Sequence, residues 1–435
     1  MKVPRIAFVF VIFLCIFIYY MYPKKLSQAT QTGHVNPIPS VFYQSARLVF
    51  YGIMFDAGST GTRIHVFKFT QKPNESLKLT EEIFKALKPG LSAYSDEPHL
   101  CMKNIQDLLD VAKNSIPSDF WANTPVALKA TAGLRLLPAE KAEGLLDKVK
   151  EAFKTSPFLV RDDSVRIMDG TDEGISAWIT VNFIKDYLHM SKPSSIGILD
   201  LGGGSTQITF SPHSDMTLQT SPIDYITSIQ LFNRTKTLYS HSYLGLGLLS
   251  ARLAILGGVE SKPLKNGQEL VSACLAPEYK GEWEHAEIVY KIKGQKPEEP
   301  LYNSCRARIE KILYKKLHKP EEVNNLLFYA FSYYYNRAVD AGLIDEEKGG
   351  TIKLQDYETA AKQVCQRMES SSTEKPFLCM DLIYINVLLE ELGFQKDAVI
   401  KVTSSGKIQI LFKNIVNYIC LNMCLCGFFY SLQEK

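Results

Sequence analysis

The sequence has no strong excess of charge of either sign. Its 435 residues include 49 lysines and arginines against 46 acidic residues, so the formal net charge is only +3. No concentrated basic stretch with interleaved aromatic side chains occurs, and such a stretch is the usual mark of a nucleic-acid-binding surface. Nucleic acid is therefore not an expected partner. With 46% hydrophobic residues, the composition is that of a globular protein large enough for two cores.

The amino terminus differs from the rest of the chain. An uncharged apolar run, residues 6–22, follows Lys2 and Arg5. The run exceeds a signal-peptide core of about 7–15 residues and is slightly short of the roughly 20 residues that span a bilayer. Residues 1–22 are thus predicted to be a signal peptide or an N-terminal membrane anchor, with a buried core helix as the alternative. Residues 23–45, polar and proline-containing, are predicted to be a linker.

Two further features, glycosylation triplets and locally paired cysteines, favour the secretory lumen, in the endoplasmic reticulum or Golgi. The triplets "NES" at Asn74 and "NRT" at Asn233 are glycosylation acceptors, although each alone is a weak signal. Contact with a membrane is expected only through the N-terminal segment, if that segment is retained.

The cysteines contain no C-x-x-C pair and no Cys/His cluster, which argues against a zinc site. Four of them lie in two locally spaced pairs, Cys274 with Cys305 and Cys365 with Cys379. In an oxidising compartment these would form disulfides, and spacing favours the local pairing without fixing it among the three possible ones. Cys101 is expected to be a free, buried thiol.

Two Gly-rich loops resemble each other, "DAGSTGTR" at residues 56–63 and "DLGGGSTQ" at residues 200–207. Each follows an apolar strand and leads into another strand, so each is predicted to be the turn of a β-hairpin. Neither loop carries the Lys, or precedes the helix, of a Walker-type phosphate loop. Strands alternating with amphipathic segments predict an α/β fold, divided into domains at residues 46–170 and 171–405.

A Gly-rich turn presents backbone N–H groups to a phosphate. The two predicted clamps consist of Ser59, Thr60 and Gly61 in the first loop, and of Gly203, Gly204, Ser205 and Thr206 in the second. Asp56 and Asp200 head these loops, and a carboxylate beside phosphate requires a cation between them. Each Asp therefore predicts Mg²⁺ or Ca²⁺ held largely through water, the alternative being that Asp simply begins a turn.

Hydrolysis of a phosphoanhydride also needs a positioned water and a base that takes its proton. Glu173, in "MDGTDEGISAW", has the chemistry of that base, while Ser205 and Gln207 are suited to orienting the water. Thr131 lies at another strand-to-loop transition, in "KATAGLRLL". Without the two Gly-rich loops in the same sequence, Glu173 would be interpreted as an acidic residue on the protein surface.

Four motifs in this order, "DAGSTGTR", "ALKATAGLRLL", "DEGISAW" and "DLGGGSTQITF", resemble the first four of five apyrase conserved regions of the ecto-nucleoside triphosphate diphosphohydrolase family. The likeness extends over about residues 51–402 and is greatest to the soluble nucleoside diphosphatase branch. It implies two actin-like, ribonuclease-H-like domains flanking a nucleotide cleft. It also implies hydrolysis of UDP and GDP to the monophosphate and phosphate in the lumen, which supports glycoprotein folding and glycosylation.

The resemblance also implies site roles. Glu173 would be the catalytic base, Thr131, Ser205 and Gln207 would surround the water, and Asp56 and Asp200 would hold the metal. Substrate would be held by Ser59, Thr60, Gly61, Arg63, Gly203, Gly204 and Thr206. The nucleobase is expected to stack on an aromatic side chain of "AFSYYYN", with Tyr334 and Tyr335 as the candidates, beside Tyr333. The alternative is that these tyrosines only pack a helix.

Residues 406–435 depart from the family pattern. The fifth region, a "GWALG"-like segment, is not found there, and the segment is instead apolar and cysteine-rich. It is interpreted as an atypical tail, with a second membrane span as the alternative. This leaves a catalytically impaired isoform, which binds nucleotide without turnover, as the main rival to an active diphosphatase. A sugar kinase is a still less favoured interpretation, because a kinase must exclude the water that Glu173 is suited to activate.

Overall fold

The computed structural model describes nine stretches of the chain. These are residues 48–72, 78–185, 187–188, 195–231, 234–259, 267–286, 288–296, 298–370 and 374–403. The predicted N-terminal segment and linker, the acceptors Asn74 and Asn233, and the tail 406–435 lie outside the described residues. Apart from Lys72, the described residues from Val49 onward form one compact unit. Within those stretches, no helix combines the length and the apolar character needed to cross a bilayer.

Strands and helices alternate along most of the chain, which confirms the predicted α/β class. The strands are β1 (Leu48–Ala57), β2 (Thr62–Gln71), β3 (Lys78–Leu87), β4 (Val126–Ala130), β5 (Val165–Ile167), β6 (Gly197–Leu201), β7 (Ser205–Phe210), β8 (Ile226–Leu231), β9 (Arg234–Leu244), β10 (Glu269–Ser272), β11 (Lys280–His285), β12 (Ile288–Gly294), β13 (Phe328–Ser332), β14 (Gly350–Lys353) and β15 (Val399–Val402). The helices are α1 (Cys101–Ser115), α2 (Ala132–Arg135), α3 (Ala139–Lys154), α4 (Gly170–Ile184), α5 (Asp215–Thr220), α6 (Leu248–Leu256), α7 (Leu301–Leu313), α8 (Tyr333–Asp340), α9 (Leu354–Ser370) and α10 (Leu378–Glu391).

The first sheet has the strand order β3-β2-β1-β4-β5. β2 and β3 are antiparallel, whereas β4 runs parallel to both β1 and β5. Alternate residues of β1, including Phe55, pack under α1 and α3, where they meet Leu108 and Phe153 in a fully buried core. This alternation is the period-2 pattern of a strand with one face toward helices. The carboxyl ends of β1 and β4 consequently reach the same edge of the sheet, which brings Asp56 near Thr131.

The second sheet repeats this order. Its strands run β14-β15-β13-β6-β7-β9-β8, and the central five, β9-β7-β6-β13-β15, correspond in position to β3-β2-β1-β4-β5 of the first sheet. The directions correspond as well, because β7 is antiparallel to both β6 and β9, and β13 is parallel to both β6 and β15. The two similar loops thus lie at equivalent places in a duplicated fold, each directly after the first strand of its sheet.

Both faces of the second sheet are covered. α4 packs Trp178 and neighbouring apolar residues against β6, β9 and β13, while α6, α7, α9 and α10 contribute to the core on the other face. A separate three-stranded sheet, β10-β12-β11, contributes Trp283 to that core. Because α4 packs on the second sheet, we retain the domain division at residues 170 and 171 as a proposal.

The structure contains disulfides between Cys274 and Cys305 and between Cys365 and Cys379, the local pairs that spacing favours. Each ties a helix of the second core to a neighbouring segment. Cys101 is free and buried, as expected, and burial raises the pKa of its thiol to about 11. At neutral pH this thiol therefore stays protonated and packs as a small apolar side chain.

Two amphipathic segments of the sequence divide between a strand and a helix. Residues 324–342 form β13 and then α8, and residues 242–256 form the end of β9 and then α6. Periodicity does not reveal such a junction, because a short buried strand and the buried side of a helix are equally apolar.

Asn182 joins α4 to the start of β6. Its side chain is fully buried, its amide donates to the carbonyls of Trp178 and Ile196 at 2.9 and 2.8 Å, and its Oδ1 accepts from the Ile196 N–H at 2.7 Å. We expect Asn182→Ala to lower the free energy of unfolding by about 1–3 kcal/mol, because buried backbone groups lose their partner. Denaturant unfolding measures this. The exposed Asn123→Ala serves as the control, and an equal loss in both variants would contradict the assignment.

Candidate active site

The two hairpin turns meet directly. A Cβ atom built on Gly203 would lie 2.5 Å from the Ser59 Oγ, and one built on Gly204 would lie 3.0 Å from the Ala132 Cβ. Gly203 therefore lets the second turn lie against Ser59 of the first, while Gly204 lets it lie against Ala132 at the start of α2. As a result, backbone amides of both turns border the same space.

That space is a cleft with a cavity of about 440 Å³. The predicted site residues that line it are Asp56, Ser59, Thr60, Arg63, Thr131, Glu173, Asp200, Gly203, Gly204 and Ser205. They come from both sheets, from residues far apart in sequence. The remaining lining residues are Gly58, Ala132, Gly202, Ser332, Tyr333, Asn336 and Arg337.

Glu173 lies in the first turn of α4, where it faces two hydrogen-bond donors. Arg135 Nη2 donates to Glu173 Oε2 at 2.7 Å, and Gln207 Nε2 donates to the same oxygen at 3.3 Å. The described residues thus engage Oε2 and leave Oε1 for a group in the cavity. The side chain is 22% exposed, so it is accessible from the cleft but largely removed from solvent.

The Ser205 hydroxyl is held from two sides. Its Oγ accepts a hydrogen bond from Gln207 at 2.8 Å and another from Arg135 at 3.2 Å. A hydroxyl has two acceptor sites and one donor, so with both acceptor sites used its own proton is directed elsewhere. Because Ser205 lines the cavity, that proton is available to a water or phosphate oxygen.

Burial raises the pKa of Glu173 to about 7. The main cause is desolvation, which disfavours the carboxylate, and the nearby Asp200 and Asp56 raise it further. Arg135 opposes this through its charge and its hydrogen bond. A carboxyl group with a pKa near neutrality suits a general base, since it is ionised in a useful fraction and still accepts a proton readily.

Asp56 and Asp200 lie in the same cavity. Asp56 forms an ion pair with Arg63 at 2.9 Å, and Asp200 has a buried Oδ1 with no hydrogen-bond partner among the described residues. Desolvation raises the pKa of Asp200 to about 6, Ser332 lowers it, and Asp56 raises it. An unpartnered buried carboxylate oxygen is costly, and a hydrated cation would satisfy it.

In the described part of the chain, no three His, Cys, Asp or Glu side chains gather as direct ligands of a metal ion. Two carboxylates with hydroxyl groups nearby nevertheless fit a hard cation that keeps most of its water, as Mg²⁺ commonly does. The residues present therefore fit the predicted group, held by Asp56 and Asp200.

Three of the predicted residues in the two Gly-rich turns do not line the cavity. Gln207 is 2% exposed and lies behind Ser205, where its amide also donates to Ser242 Oγ at 2.9 Å. Thr206 donates its hydroxyl to the Asp200 carbonyl at 2.8 Å, and the Gly61 carbonyl accepts the Gly58 N–H at 3.1 Å. They shape the turns and hold the residues that face the cavity. Gln207 in particular supports Ser205 and Glu173 rather than reaching the cavity itself.

The structure does not bring Tyr334 and Tyr335 to the cleft. Tyr334 is fully buried, and Tyr335 donates its hydroxyl to the Glu346 carbonyl inside the second core. Because successive helical residues point in directions about 100° apart, only one of the three tyrosines can face the cavity. That residue is Tyr333, which therefore replaces the other two as the candidate for stacking.

A second cavity of about 370 Å³ adjoins the first, because Tyr333 and Arg337 line both. Arg252 and Phe377 also line it, and the Arg252 guanidinium lies 4.1 Å from the centre of the Phe377 ring. Buried Asp381 holds both arginines, at 2.7 Å from Arg252 and 3.1 Å from Arg337. The second cavity thus combines aromatic faces with fixed positive charge.

Arg135, Ser332, Asn336 and Arg337 were not identified from the sequence. Arg135 closes the quoted "KATAGLR" motif, so its position beside the motif threonine was the available signal. Ser332 and Asn336 flank the tyrosines of the quoted "AFSYYYN" segment and Arg337 follows it, but which of these residues reach the cleft depends on the parallel pairing of β13 with β6.

The sequence profile of the GDA1/CD39 (nucleoside phosphatase) family matches residues 44–411. The chain belongs to this family. It is 60% identical over 355 residues to ectonucleoside triphosphate diphosphohydrolase 6 of Homo sapiens. This alignment covers 82% of this chain and 73% of the relative. It is 52% identical over 355 residues to the Homo sapiens protein named nucleoside diphosphate phosphatase ENTPD5. This alignment covers 81% of this chain and 83% of the relative.

Among solved structures, nucleoside triphosphate hydrolases from Neospora caninum align with a TM-score of 0.53 at 14% identity, over 82% of this chain and 88% of theirs. At that identity the likeness concerns the fold alone. Together with the family membership it confirms the predicted architecture of two actin-like domains. The duplicated sheets agree with that architecture, and the chain is a nucleoside phosphatase whose substrates are nucleotides.

Contact between the turns should be essential for activity. We expect Gly203→Ala to reduce nucleotide hydrolysis by about 10–100-fold, because the new methyl group displaces the hydroxyl of Ser59, a predicted phosphate donor, from its place in the cleft. Phosphate release measures this. Gly52→Ala is the matched control, since a Cβ on Gly52 meets nothing within 4 Å. Unimpaired hydrolysis by Gly203→Ala in folded protein would show that the contact is dispensable.

Proposed function

We propose that the protein hydrolyses nucleoside diphosphates, UDP and GDP among them, to the monophosphate and inorganic phosphate, with a divalent cation. One observation carries the proposal: Glu173, with a pKa near neutrality, faces the cavity that both phosphate-binding turns border. Only hydrolysis requires a base at that point, because phosphate binding alone is disfavoured by a carboxylate. The relative ENTPD5 is named a nucleoside diphosphate phosphatase, which supports the same substrate class.

In this proposal the terminal phosphate lies between the turns. Backbone N–H groups of Gly203 and Gly204, with the hydroxyl groups of Ser59 and Thr60, donate to its oxygens. Such donors are already in place before substrate binds, so they stabilise the transition state without reorganisation. Arg63 adds a positive charge at the same edge.

The proton moves from water to Glu173. The water lies between Glu173 Oε1 and Ser205, so that the Ser205 hydroxyl and Thr131 orient it toward phosphorus. As the oxygen attacks, Glu173 accepts its proton, and the bond from phosphorus to the bridging oxygen breaks. Gln207 and Arg135 do not touch the water but fix the two groups that do.

Asp56 and Asp200 would hold the cation through water, and Mg²⁺ and Ca²⁺ both suit this oxygen-rich site. When bound, the cation neutralises charge on the phosphate oxygens. Arg63, which pairs with Asp56 at 2.9 Å, would contact phosphate where Asp56 holds the hydrated cation.

The nucleoside would extend into the second cavity. Tyr333 borders both cavities, so a phosphate in the first directs the sugar and base past its ring. Tyr333 and Phe377 offer faces for stacking, and the arginines offer donors to carbonyl oxygens of a base.

We also place the reaction in the secretory lumen. Two disulfides in the second core require an oxidising compartment, which the endoplasmic reticulum and Golgi provide. Hydrolysis of diphosphates in the endoplasmic reticulum lumen would support glycoprotein folding and glycosylation there. The predicted leader and glycosylation acceptors agree with this location but lie outside the described residues.

Glu173→Gln should separate binding from turnover. We expect it to retain nucleotide binding and to lose about 10²–10⁴-fold in kcat, because Gln is nearly isosteric but accepts no proton. Phosphate release from UDP, GDP and ATP, with Mg²⁺ or Ca²⁺ and then with chelator, measures turnover. Absence of cation-dependent release from folded wild-type protein would favour the impaired, nucleotide-binding form instead. A Glu173→Gln variant with near wild-type rates would remove Glu173 from the mechanism.

The rate should rise with pH as Glu173 loses its proton. Burial raises the pKa of Glu173 to about 7 and a cation held by Asp56 and Asp200 would lower it, so kcat/KM at saturating cation is expected to increase along an acidic limb at or below neutrality. Arg135→Gln removes a positive charge that lowers this pKa, so the acidic limb should move to higher pH. Exposed Arg166→Gln is the control and should leave the limb in place. An acidic limb at the same pH in Arg135→Gln as in the wild type would contradict the proposal that Arg135 lowers the pKa of Glu173.

A further inference from the structure

One face of the second sheet is polar where α4 covers it. Gln207 and Thr209 of β7 lie directly opposite Ser242 and Ser240 of β9, so these four side chains form a polar strip on one face. Ile208, which lies between the two β7 residues, belongs to the apolar core on the other face. A helix normally packs on apolar side chains, and buried polar groups beneath one need hydrogen-bond partners.

The helix α4 lies close to this polar strip because two of its positions carry no side chain. A Cβ atom built on Gly170 would collide with Ser242 Oγ. One built on Gly174 would lie 2.5 Å from Thr209 Oγ1. The two glycines therefore bring the first turn of α4, which carries Glu173, into direct contact with the strip.

Four polar groups of the active site form a closed ring of hydrogen bonds. Arg135 Nη2 donates to Glu173 Oε2 at 2.7 Å and to Ser205 Oγ at 3.2 Å. Gln207 Nε2 donates to the same two oxygens, at 3.3 and 2.8 Å. Each donor thus bridges the proposed base and the serine that orients the water. The base and the serine keep their relative position only while both donors stay in place.

Each donor of the ring is also held from outside it. The Met168 carbonyl accepts from Arg135 Nη1 at 3.3 Å, and Ser242 Oγ accepts from Gln207 Nε2 at 2.9 Å. A side-chain amide has two hydrogens, and three acceptors lie within reach of this one. The two serine hydroxyls are the nearer acceptors, so they fix the nitrogen, while Glu173 receives the longer hydrogen bond.

Ser240, two residues before Ser242 on the same strand, is paired within the strip. Its Oγ lies 2.7 Å from Thr209 Oγ1 and donates to the Thr171 carbonyl at 3.4 Å. Ser240 and Thr209 are both fully buried. The polar strip therefore contains one pair that joins the strands to the helix, and one pair that leads to the base.

We propose that Ser242 is a positioning residue for hydrolysis, which acts through the Gln207 amide to hold Glu173 and Ser205 in place around the attacking water. The inference rests on the proposed function, because the base and the water are assigned there. Ser242 is not among the residues that line the cavity. Its effect should therefore appear in kcat and not in KM, since a group that only aligns the reacting atoms contributes nothing to substrate binding.

Ser242→Ala removes the acceptor from the Gln207 amide. We expect kcat for phosphate release to fall by about 3–10-fold at an unchanged KM, which is the loss expected for one hydrogen bond of ordinary strength. Ser240→Ala is the matched control on the same strand and face. It should lower the unfolding midpoint, because buried Thr209 loses its partner, yet keep kcat within about twofold of the wild type.

A double-mutant cycle tests whether Ser242 acts through Gln207. Gln207→Met keeps the length of the side chain without its donors, so adding Ser242→Ala to that variant should lower kcat no further. Wild-type kcat in Ser242→Ala, or an equal loss in both backgrounds, would overturn the inference. If Gln207→Met does not fold, equal values of kcat in Ser242→Ala and Ser240→Ala would overturn it instead.

Failure of the proposed function gives a different result. The cycle is measured on the nucleotide that is hydrolysed fastest, so wild-type protein that releases phosphate from other nucleotides but not from UDP or GDP would refute only the proposed substrates. The unfolding midpoints of the same four proteins form a second cycle that needs no turnover. If no nucleotide is hydrolysed, the proposed function fails; additive midpoint changes would then overturn the Ser242–Gln207 contact, and non-additive changes would support it.

Discussion

The structure depends above all on the close approach of its two hairpin turns. Gly203 and Ser59 occupy adjoining space, and a methyl group at position 203 would displace the Ser59 hydroxyl. Each turn ends the first strand of its own sheet, so the contact also sets the position of both sheets' carboxyl edges. Cavity, base and carboxylates follow from this arrangement, because Thr131, Glu173 and Ser332 all lie next to one turn or the other.

Packing the turns so closely buries acidic side chains. Glu173, Asp200 and Asp56 share one cleft, and desolvation raises the pKa of the first two. A buried carboxylate is unfavourable unless a donor or a cation offsets the loss of water. Arg135 offsets it at Glu173, whereas Asp200 keeps an unpartnered oxygen. The contrast assigns them different chemistry: Glu173 is poised for proton transfer, and Asp200 is suited to a hydrated cation.

The junction of β13 and α8 connects the two cavities. Ser332 and Asp200 both line the first cavity, while Tyr333 and Arg337 border both cavities. Buried Asp381 fixes Arg337 and Arg252 together, so the second cavity is as rigidly built as the first.

The sequence by itself determined the local elements. Apolar strands running into matching Gly-rich loops predicted the hairpins, and Asp56, Glu173, Asp200 and Ser205 followed from the chemistry of their residue types. Spacing also favoured the disulfide pairs, since each joins neighbours along the chain. These features need only residues that are close in sequence, which is why the pattern is sufficient.

Only the tertiary structure decided which side chains face the cleft. Gln207 and Thr206 lie beneath the cavity and Tyr333, not Tyr334 or Tyr335, borders it, because strand register and helix rotation set direction. Arg135 became a partner of Glu173 across 38 residues of sequence. Ser332 came to line the same cleft as Asp200 only through the parallel pairing of β13 with β6. Parallel strands meet through long connections, so contacts at their edge leave no short-range trace in the sequence.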